Sequence, residues 1–469
     1  MIGTQERPHT SSEPIKLARD IISNHFTDDR GALTLFEHRG TIWHWENRWR
    51  PRSRTWLLDK VRLSLENAIL KVMTRDGHDL VPLQERHCAP KTVTECIETV
   101  TRVDEEKAAP FWLQAGGEVT GGEYMVTFRD RLVDVDGDHI HGIGPGWFDT
   151  VSLNAAYDTQ ALCPLWERSL IEWSGGDPDW CDLLQRLFGY AIMPTRKYQK
   201  WFLFYGVPRS GKGTVLHTLR ALMGNHVVLS KSLSDLADPF GLDGLESARV
   251  VIVNEVHDLE KGAGARVASV VKQLVGQDPI SVNIKYVRPL RNIESRALPI
   301  LQSNEIPTLE DRAGGLSSKM VLVPFGVSFL NKENEDLGRE LKSELPGIAQ
   351  WALTGARQVL AENATGRFPM LKAAQDAVDD YIIAVNPFNR FLDNSFEETP
   401  GGWVAFSVVW DKWRQWAQGE VTVPGVTEHT MTRKLMEGTN WRLTRARRNH
   451  GKIRGFSGMR LRYVPPVGD

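Results

Sequence analysis

One stretch, "KWFLFYGVPRSGKGTVLHTLRALMG" (residues 200–224), constrains the fold more than any other. Five apolar residues, Trp201 to Tyr205, read as a buried strand, and "GTVLHTLRALMG" reads as a helix. Between them lies a glycine-rich loop: Gly206, Val207, Pro208, Arg209, Ser210, Gly211, Lys212, Gly213 and Thr214. The phosphate-loop pattern wants Gly, four residues, Gly-Lys, then Ser or Thr. Gly206, Gly211 and Lys212 fit; the hydroxyl comes one place late, at Thr214. A strand before the loop and a helix after it let backbone N–H groups and the helix dipole hold phosphate oxygens. Lys212 then reaches the outer phosphates, and Thr214 turns toward a Mg²⁺ ion. Gly213 costs about 1 kcal/mol of helix propensity, which suits a position of tight backbone approach.

From 199 to 325 strand-like and helix-like segments alternate: "KWFLFYG", "ARVVIVNE", "ARVASVVKQLVG", "LPILQSN", "MVLVPF". Short apolar runs between turns and helices predict a buried parallel sheet. In such a sheet, ligands sit outside the carboxyl ends of the strands. Two strand ends carry polar groups there. Val250 to Val253 end in Asn254-Glu255, and "LPILQS" ends in Asn304. A nucleotide hydrolase needs a group that orients the attacking water. Glu255 suits that role, Asn254 suits a place near the metal, and Asn304 suits the attacking water or the last phosphate.

Bulk properties set the class. The chain has 469 residues, 41% hydrophobic and 25% charged, with a formal net charge of −2. That fits two to four globular domains and makes any nucleic-acid surface a local one. Its four cysteines include no CxxC pair, which argues against a zinc ribbon. There is no signal-peptide pattern and no apolar run of spanning length, so neither a membrane span nor secretion is expected. Sixteen tryptophans read most simply as core residues.

Three further segments bear on organisation. The first 115 residues mix helix and strand signals: "EPIKLARDIISNHF" and "DKVRLSLENAILKVMTRD" read as helices, and "ALTLFEHRGTIWHWENRWRPR" as a hairpin. "VDVDGDHIHG" brings Asp134, Asp136 and Asp138 together, but lacks the Gly and Glu of a calcium loop and reads as a hairpin turn. Between Arg433 and Arg462, ten basic residues face one acid, Glu437. Aromatic and apolar residues alternate with these charges, so Arg445, Arg447 and Arg448 are expected to contact DNA.

Four ordered elements, "GVPRSGKGT", "VVIVNE", "VKQLVGQDPISVNIKY" and "PILQSNEIPTLEDRAGGLSSKMVLVPF", resemble the Walker A, Walker B, B′ and C motifs of superfamily-three helicases. The branch they resemble is the phage and plasmid primase-helicase family. "MVTFRDRLVDVDGDHIHGIGPGWF" through "LLQRLFGYAIM" is similar to the helical domain before that family's ATPase, and "VAFSVVWDKWRQWA" to its C-terminal winged helix.

The resemblance implies an α/β fold with a P-loop AAA+-like ATPase core. An N-terminal α+β region (1–115) and a helical collar-like domain (116–195) would precede the core (196–330). A helical extension (331–384) and a winged-helix-like domain (385–469) would follow it. It implies ATP and Mg²⁺ as cofactors, with Thr214, Asn254 and Glu255 around the metal. Catalysis would involve Lys212, Glu255 and Asn304. It implies a homo-oligomeric ring, usually a hexamer, that translocates on DNA in a bacterial host cytoplasm. The DNA would be a single strand in the ring channel, a duplex or a fork, and a separate primase could act beside the ring. A hairpin would put Lys285, Tyr286 and Arg288 against DNA.

Where the family shows paired arginines before its last apolar strand, this chain has Ser317-Ser318-Lys319-Met320. Lys319 is therefore the expected cation for a neighbour's site, with Arg296 and Arg312 as alternatives. Two other readings stay open. One is an initiator or remodelling ATPase that melts DNA without processive unwinding. The other is a small-molecule kinase, since nucleotide kinases share GxPxSGKGT; those lack the Asn-Glu strand end, the later Asn and the basic tail.

Overall fold

The computed structural model describes residues 8–462 apart from 67, 76, 85–87, 104–108, 114–118, 138, 233–234, 237, 239–240, 243, 246–247, 255–262, 277, 279, 283–290, 294, 305–315, 333, 363–367, 369–371, 373, 377, 379–386, 420–425, 438, 440 and 449–451. A helix at Pro14–His25 buries Leu17, Ala18, Ile21 and Ile22 in a core shared with Val93 and Ile97 of the helix Pro90–Val100 and with Leu35 and Ile42 of a three-stranded antiparallel sheet. The strands are Leu35–His38, Thr41–Trp45 and Trp49–Arg52; the first two form the expected hairpin, turning at Arg39-Gly40, and the third adds to it. The segment "DKVRLSLENAILKVMTRD" is helical only to Glu66; Ile69–Thr74 is a strand that pairs with Gly77–Pro82. The run "ILKVM" carries no clear period, and cross-strand pairing decides it.

Residues 111–148 form short strands, in line with the strand-like pattern of "EYMVTFRDRLVDVDGDHIHGIGP" and unlike the helical collar that the resemblance implies for 116–195. Phe111–Leu113 pairs with both Val119–Gly121 and Trp147–Phe148. A boundary at 115/116 would cut this sheet. Its aromatic side chains join the N-terminal core: Phe36, Trp49, Phe111 and Phe148 pack together, and the Trp49 indole donates to the Trp147 carbonyl at 2.8 Å. After Trp147–Phe148 the next described helix is Pro164–Ser174. Asp134 is a turn residue, its carboxylate accepting the N–H groups of Asp136 and Gly137 at 3.1 and 3.2 Å.

The central sheet has five parallel strands: β1 (Trp201–Gly206), β2 (Val228–Lys231), β3 (Val250–Val253), β4 (Leu298–Ser303) and β5 (Met320–Phe325). Their spatial order is β2-β3-β4-β1-β5, so β1 lies between β4 and β5. Alternate residues face opposite sides of a strand. Phe202, Phe204, Val250, Ile252, Ile300, Val321 and Val323 point to one side. There they meet α1 (Pro164–Ser174), α2 (Pro178–Ile192) and α3 (Lys212–Met223). Trp201, Leu203, Val251, Val253, Leu301 and Leu322 point to the other side, onto α4 (Ala263–Gly276).

α5 (Leu337–Ser343) and α6 (Leu345–Ala361) return to the first side. α2 and α6 touch backbone to backbone: a Cβ on Gly189 would stand 2.1 Å from the Ala356 nitrogen, and one on Gly355 would stand 2.0 Å from the Gln185 carbonyl. The helices before and after the sheet thus form one layer with it. The expected reading of tryptophans as core residues holds for Trp147, Trp166, Trp173, Trp180 and Trp201, all buried.

The last unit has its own core of Phe388, Phe391, Leu392, Phe396, Val404, Val409, Trp413, Met431, Leu435, Phe456 and Met459. Its order is helix Pro387–Ser395, strand Phe396–Ala405, helix Phe406–Gly419, helix Glu428–Glu437, then strands Thr444–Arg448 and Ile453–Leu461. Ile453–Leu461 is the middle strand of an antiparallel three-stranded sheet. No described helix is long and apolar enough to cross a membrane.

Candidate functional site

The glycine-rich loop lies at the carboxyl end of β1. Gly206 has φ +144°, and a Cβ there would stand 2.0 Å from the Phe325 carbonyl of β5. The Val207 N–H donates to that same carbonyl at 3.1 Å. Further along, the Pro208 carbonyl accepts from the Ser328 hydroxyl at 3.2 Å, and the Arg209 carbonyl accepts from the Phe329 N–H at 2.8 Å. The segment after β5 therefore pins the loop. Arg209 (φ +56°) and Gly211 (φ +94°) curl the chain so that α3 starts at Lys212. Among the described residues no side chain caps α3, which leaves its first N–H groups for a ligand.

Lys212 is buried at the first helical position. Its ammonium donates to the carbonyls of Gly206 at 2.8 Å and Val207 at 2.7 Å, and reaches the Ser210 hydroxyl at 3.3 Å. Burial holds its pKa below the ordinary lysine value. The cation is thus already tethered over the loop. Thr214 is half-buried, two residues further along α3. Between them, a Cβ on Gly213 would meet none of the described residues within 4 Å.

Neighbouring strand ends complete the arrangement. Tyr205 pairs in register with Ser303, so Asn304 is level with Gly206 at the loop's entrance. Val253 pairs with Leu301, which puts Asn254 one step beyond the last β3 pair, its N–H donating to the Lys231 carbonyl at 3.2 Å. By strand alternation Asn254 and Asn304 continue the rows of Ile252 and Ile300, on the side that carries α3. Both are exposed. Glu255 lies outside the described residues, as do Lys285, Tyr286, Arg288 and Arg312. Ile280–Val282 and Arg291–Ile293 pair antiparallel, with Val282 opposite Arg291. They are the arms on either side of the expected hairpin.

Lys319 is at the other end of the sheet. It precedes β5, and its six-residue strand spans about 20 Å. Lys319 therefore stands far from its own Lys212. Beside it is Lys200, whose ammonium donates to the Ser318 carbonyl at 3.2 Å. Burial, and secondarily the Lys319 charge, hold the Lys200 pKa down.

Sequence reasoning missed three features, two of them beside the loop. Trp173 of α1 lies against Gly211, a contact no local pattern announces. Trp180 donates its indole N–H to the Pro324 carbonyl at 2.6 Å, fastening α2 to β5. At the amino end of the sheet, the Arg249 guanidinium before β3 pairs with Asp149 at 3.1 Å, both buried. Asp149 also accepts from the Thr127 hydroxyl at 2.9 Å and the Val151 N–H at 3.0 Å. Burial pushes its pKa up against the pull of Arg249.

In the last unit, Arg445, Arg447 and Arg448 are exposed. Arg445 is opposite Phe456 and Arg447 opposite Arg454, while Arg448 is opposite Ile453. Neighbouring strand positions face opposite ways, so the three arginines divide between two faces of the sheet.

Residues 204–314, from β1 through Asn304, match a family model described as a family of unknown function, DUF5906. No curated protein matches the chain. Among solved structures, the apo NrS-1 C-terminal region (305–718) aligns with a TM-score of 0.50 and 11% identity, covering 94% of this chain and 98% of that one. An A-form apo structure of the same region aligns with a TM-score of 0.48 and 12% identity, covering 94% and 99%. The first of these likenesses extends over nearly the whole of both chains, and it is a likeness of fold.

Proposed function

We propose that this chain is an ATP-dependent DNA helicase of a phage, satellite or plasmid-like element, working as a ring. The observation that carries the reading is the loop itself: a buried lysine at an uncapped helix start, at the carboxyl end of a central parallel strand, with Asn304 level with the loop entrance. The residues fit a Mg²⁺-nucleotide. Gly206 and Gly211 let the loop pack tightly on Phe325 and Trp173, Gly213 leaves the backbone at the start of α3 uncovered by described residues, and Thr214 and Asn254 are neutral oxygen donors of the kind Mg²⁺ accepts beside phosphates. When bound, the metal would neutralise charge building on the transferred phosphoryl group.

The chain's own groups then act as follows. Lys212 exchanges the carbonyls of Gly206 and Val207 for phosphate oxygens. Asn304 orients the last phosphate or the attacking water. Glu255 activates that water. Lys319, at the other end of the sheet, serves a neighbouring subunit's site, which makes hydrolysis depend on assembly into a ring, expected to be a hexamer. The helix–strand–helix–helix–strand–strand order of the last unit supports a winged-helix-like DNA-binding domain.

A forked-duplex unwinding assay tests the proposal, with Lys212→Ala as control. Strand displacement that needs ATP and Lys212 is expected. DNA-stimulated hydrolysis without displacement would favour a remodelling ATPase instead.

A further inference from the structure

The C-terminal sheet packs one face on helices; on its other face Thr444, Arg448 and Ile453 are exposed. Val404 and Phe456 point inward. The outward rows are Trp403–Ser457–Thr444 and Ala405–Gly455–Ala446, followed by Ile453–Arg448. Apart from Trp403, Arg448 and Ile453, every residue in these rows is small. Trp403 lies across Gly455: a Cβ there would stand 2.7 Å from the indole ring. Arg448 reaches back over the same ring, its guanidinium carbon 5.0 Å from the centroid. The Trp403 indole N–H has no acceptor among the described residues.

The surroundings are cationic. From Arg442 to Arg462 the sequence holds eight basic residues and no acid. Two of the eight are engaged by acids from elsewhere: Arg454 meets Glu428 at 3.3 Å and Arg460 meets Glu397 at 2.7 Å. Arg445, Arg447 and Arg448 have no ion-pair partner among the described residues.

We propose that this outer face is a stacking platform for an unpaired DNA strand, with the Trp403–Arg448 pair at its centre. The inference rests on the reading that the chain acts on DNA, and adds to it a single-strand site outside the ring channel. Unpaired bases stack on indole rings and on guanidinium planes, and basic side chains nearby hold the backbone. A base laid on Arg448 extends a stack already anchored on Trp403. Gly455 lets the indole lie flat on the sheet, and Ala405, Ala446 and Ser457 beside it are small, leaving room for a flat ligand next to the stacked pair. Arg445 and Arg447, on the other face, contact phosphates without stacking. A charged phosphate surface would need neither the indole nor the glycine beneath it.

The test compares binding of labelled oligo(dT), an abasic oligonucleotide of equal length and charge, and a duplex, by fluorescence anisotropy on the full chain. Oligo(dT) is expected to bind about tenfold more tightly than the abasic strand. Trp403→Ala and Arg448→Ala should each erase that preference, whereas Arg445→Ala should weaken both strands alike. Equal binding of the two strands by the unaltered protein would overturn the proposal, and so would a preference that survives Trp403→Ala and Arg448→Ala. The comparison on unaltered protein needs no variant to fold. Binding to none of the three would remove the DNA reading along with this one.

Discussion

Gly211 at the start of α3 lies against the indole of Trp173 in α1, so close that a Cβ on the glycine would stand 2.7 Å from the ring. Gly211 also has φ +94°, outside the comfortable range of other residues. Two independent constraints therefore meet at one loop position. A Gly211→Ala change must strain the backbone by about 1–2 kcal/mol and push back a buried tryptophan at about 1–3 kcal/mol more. We expect the variant to lose nucleotide binding while the isolated overlap is relieved in Gly211→Ala/Trp173→Ala. Denaturant unfolding together with binding of a fluorescent ATP analogue checks this. Full affinity in the single variant would show that the loop tolerates a different shape.

Lys212 should give the site an alkaline limit. Burial holds its pKa below the ordinary lysine value of 10.5. As pH rises through that lowered value, the ammonium is lost and phosphate binding goes with it. The sign for stability is opposite. Between the lowered folded value and 10.5 the unfolded chain binds more protons, so stability from this group rises with pH. Nucleotide affinity measured against pH should fall before 10.5, and Lys212→Arg should move the fall to higher pH. A profile identical in both proteins would remove Lys212 as its cause.

Lys319 and Lys212 lie at opposite ends of the sheet, which makes complementation the sharpest test of the ring. Each single Ala variant should lose ATP hydrolysis, Lys319→Ala by about three orders of magnitude if it fills the place of an arginine finger. Mixing the two variants creates interfaces that hold one intact loop and one intact Lys319. Hydrolysis should then return in part. No recovery in mixed assemblies would mean that Lys319 does not act on a neighbour, and Lys200 beside it would be the next cation to examine.

Some of this is legible in the sequence because it is local. The loop, its flanking strand and helix, and the strand-end Asn254 and Asn304 each depend on a few adjacent residues whose period or backbone freedom carries the signal. The hairpin-turn role of Asp134 is local too. The Trp173–Gly211 contact joins residues 38 apart along the chain, and Asp149 meets Arg249 across 100. Such pairings depend on how helices and sheets stack, and single-chain periodicity does not encode that. The strand at Ile69–Thr74 escapes a local reading for a related reason, since its partner decides its conformation. The division of Arg447 from Arg448, by contrast, follows from strand alternation alone and is readable from their adjacency.

The buried Asp149–Arg249 pair makes the last prediction. It joins the turn after the 111–148 strands to the start of β3, and both side chains are almost fully out of water. Removing one partner leaves the other charge buried without compensation, at about 3–5 kcal/mol. Arg249→Met should therefore destabilise the fold strongly. Arg249→Met with Asp149→Leu should recover much of the loss, because an apolar pair needs no compensation. Asp149→Leu alone should cost at least as much as Arg249→Met, because it leaves the Arg249 cation buried and unpaired, whereas a lone Asp149 can take up a proton, the direction in which burial already pushes it. Chemical denaturation of the three variants measures the coupling. Additive losses in the double variant would mean that the two residues act separately, and that the ion pair does not join these elements.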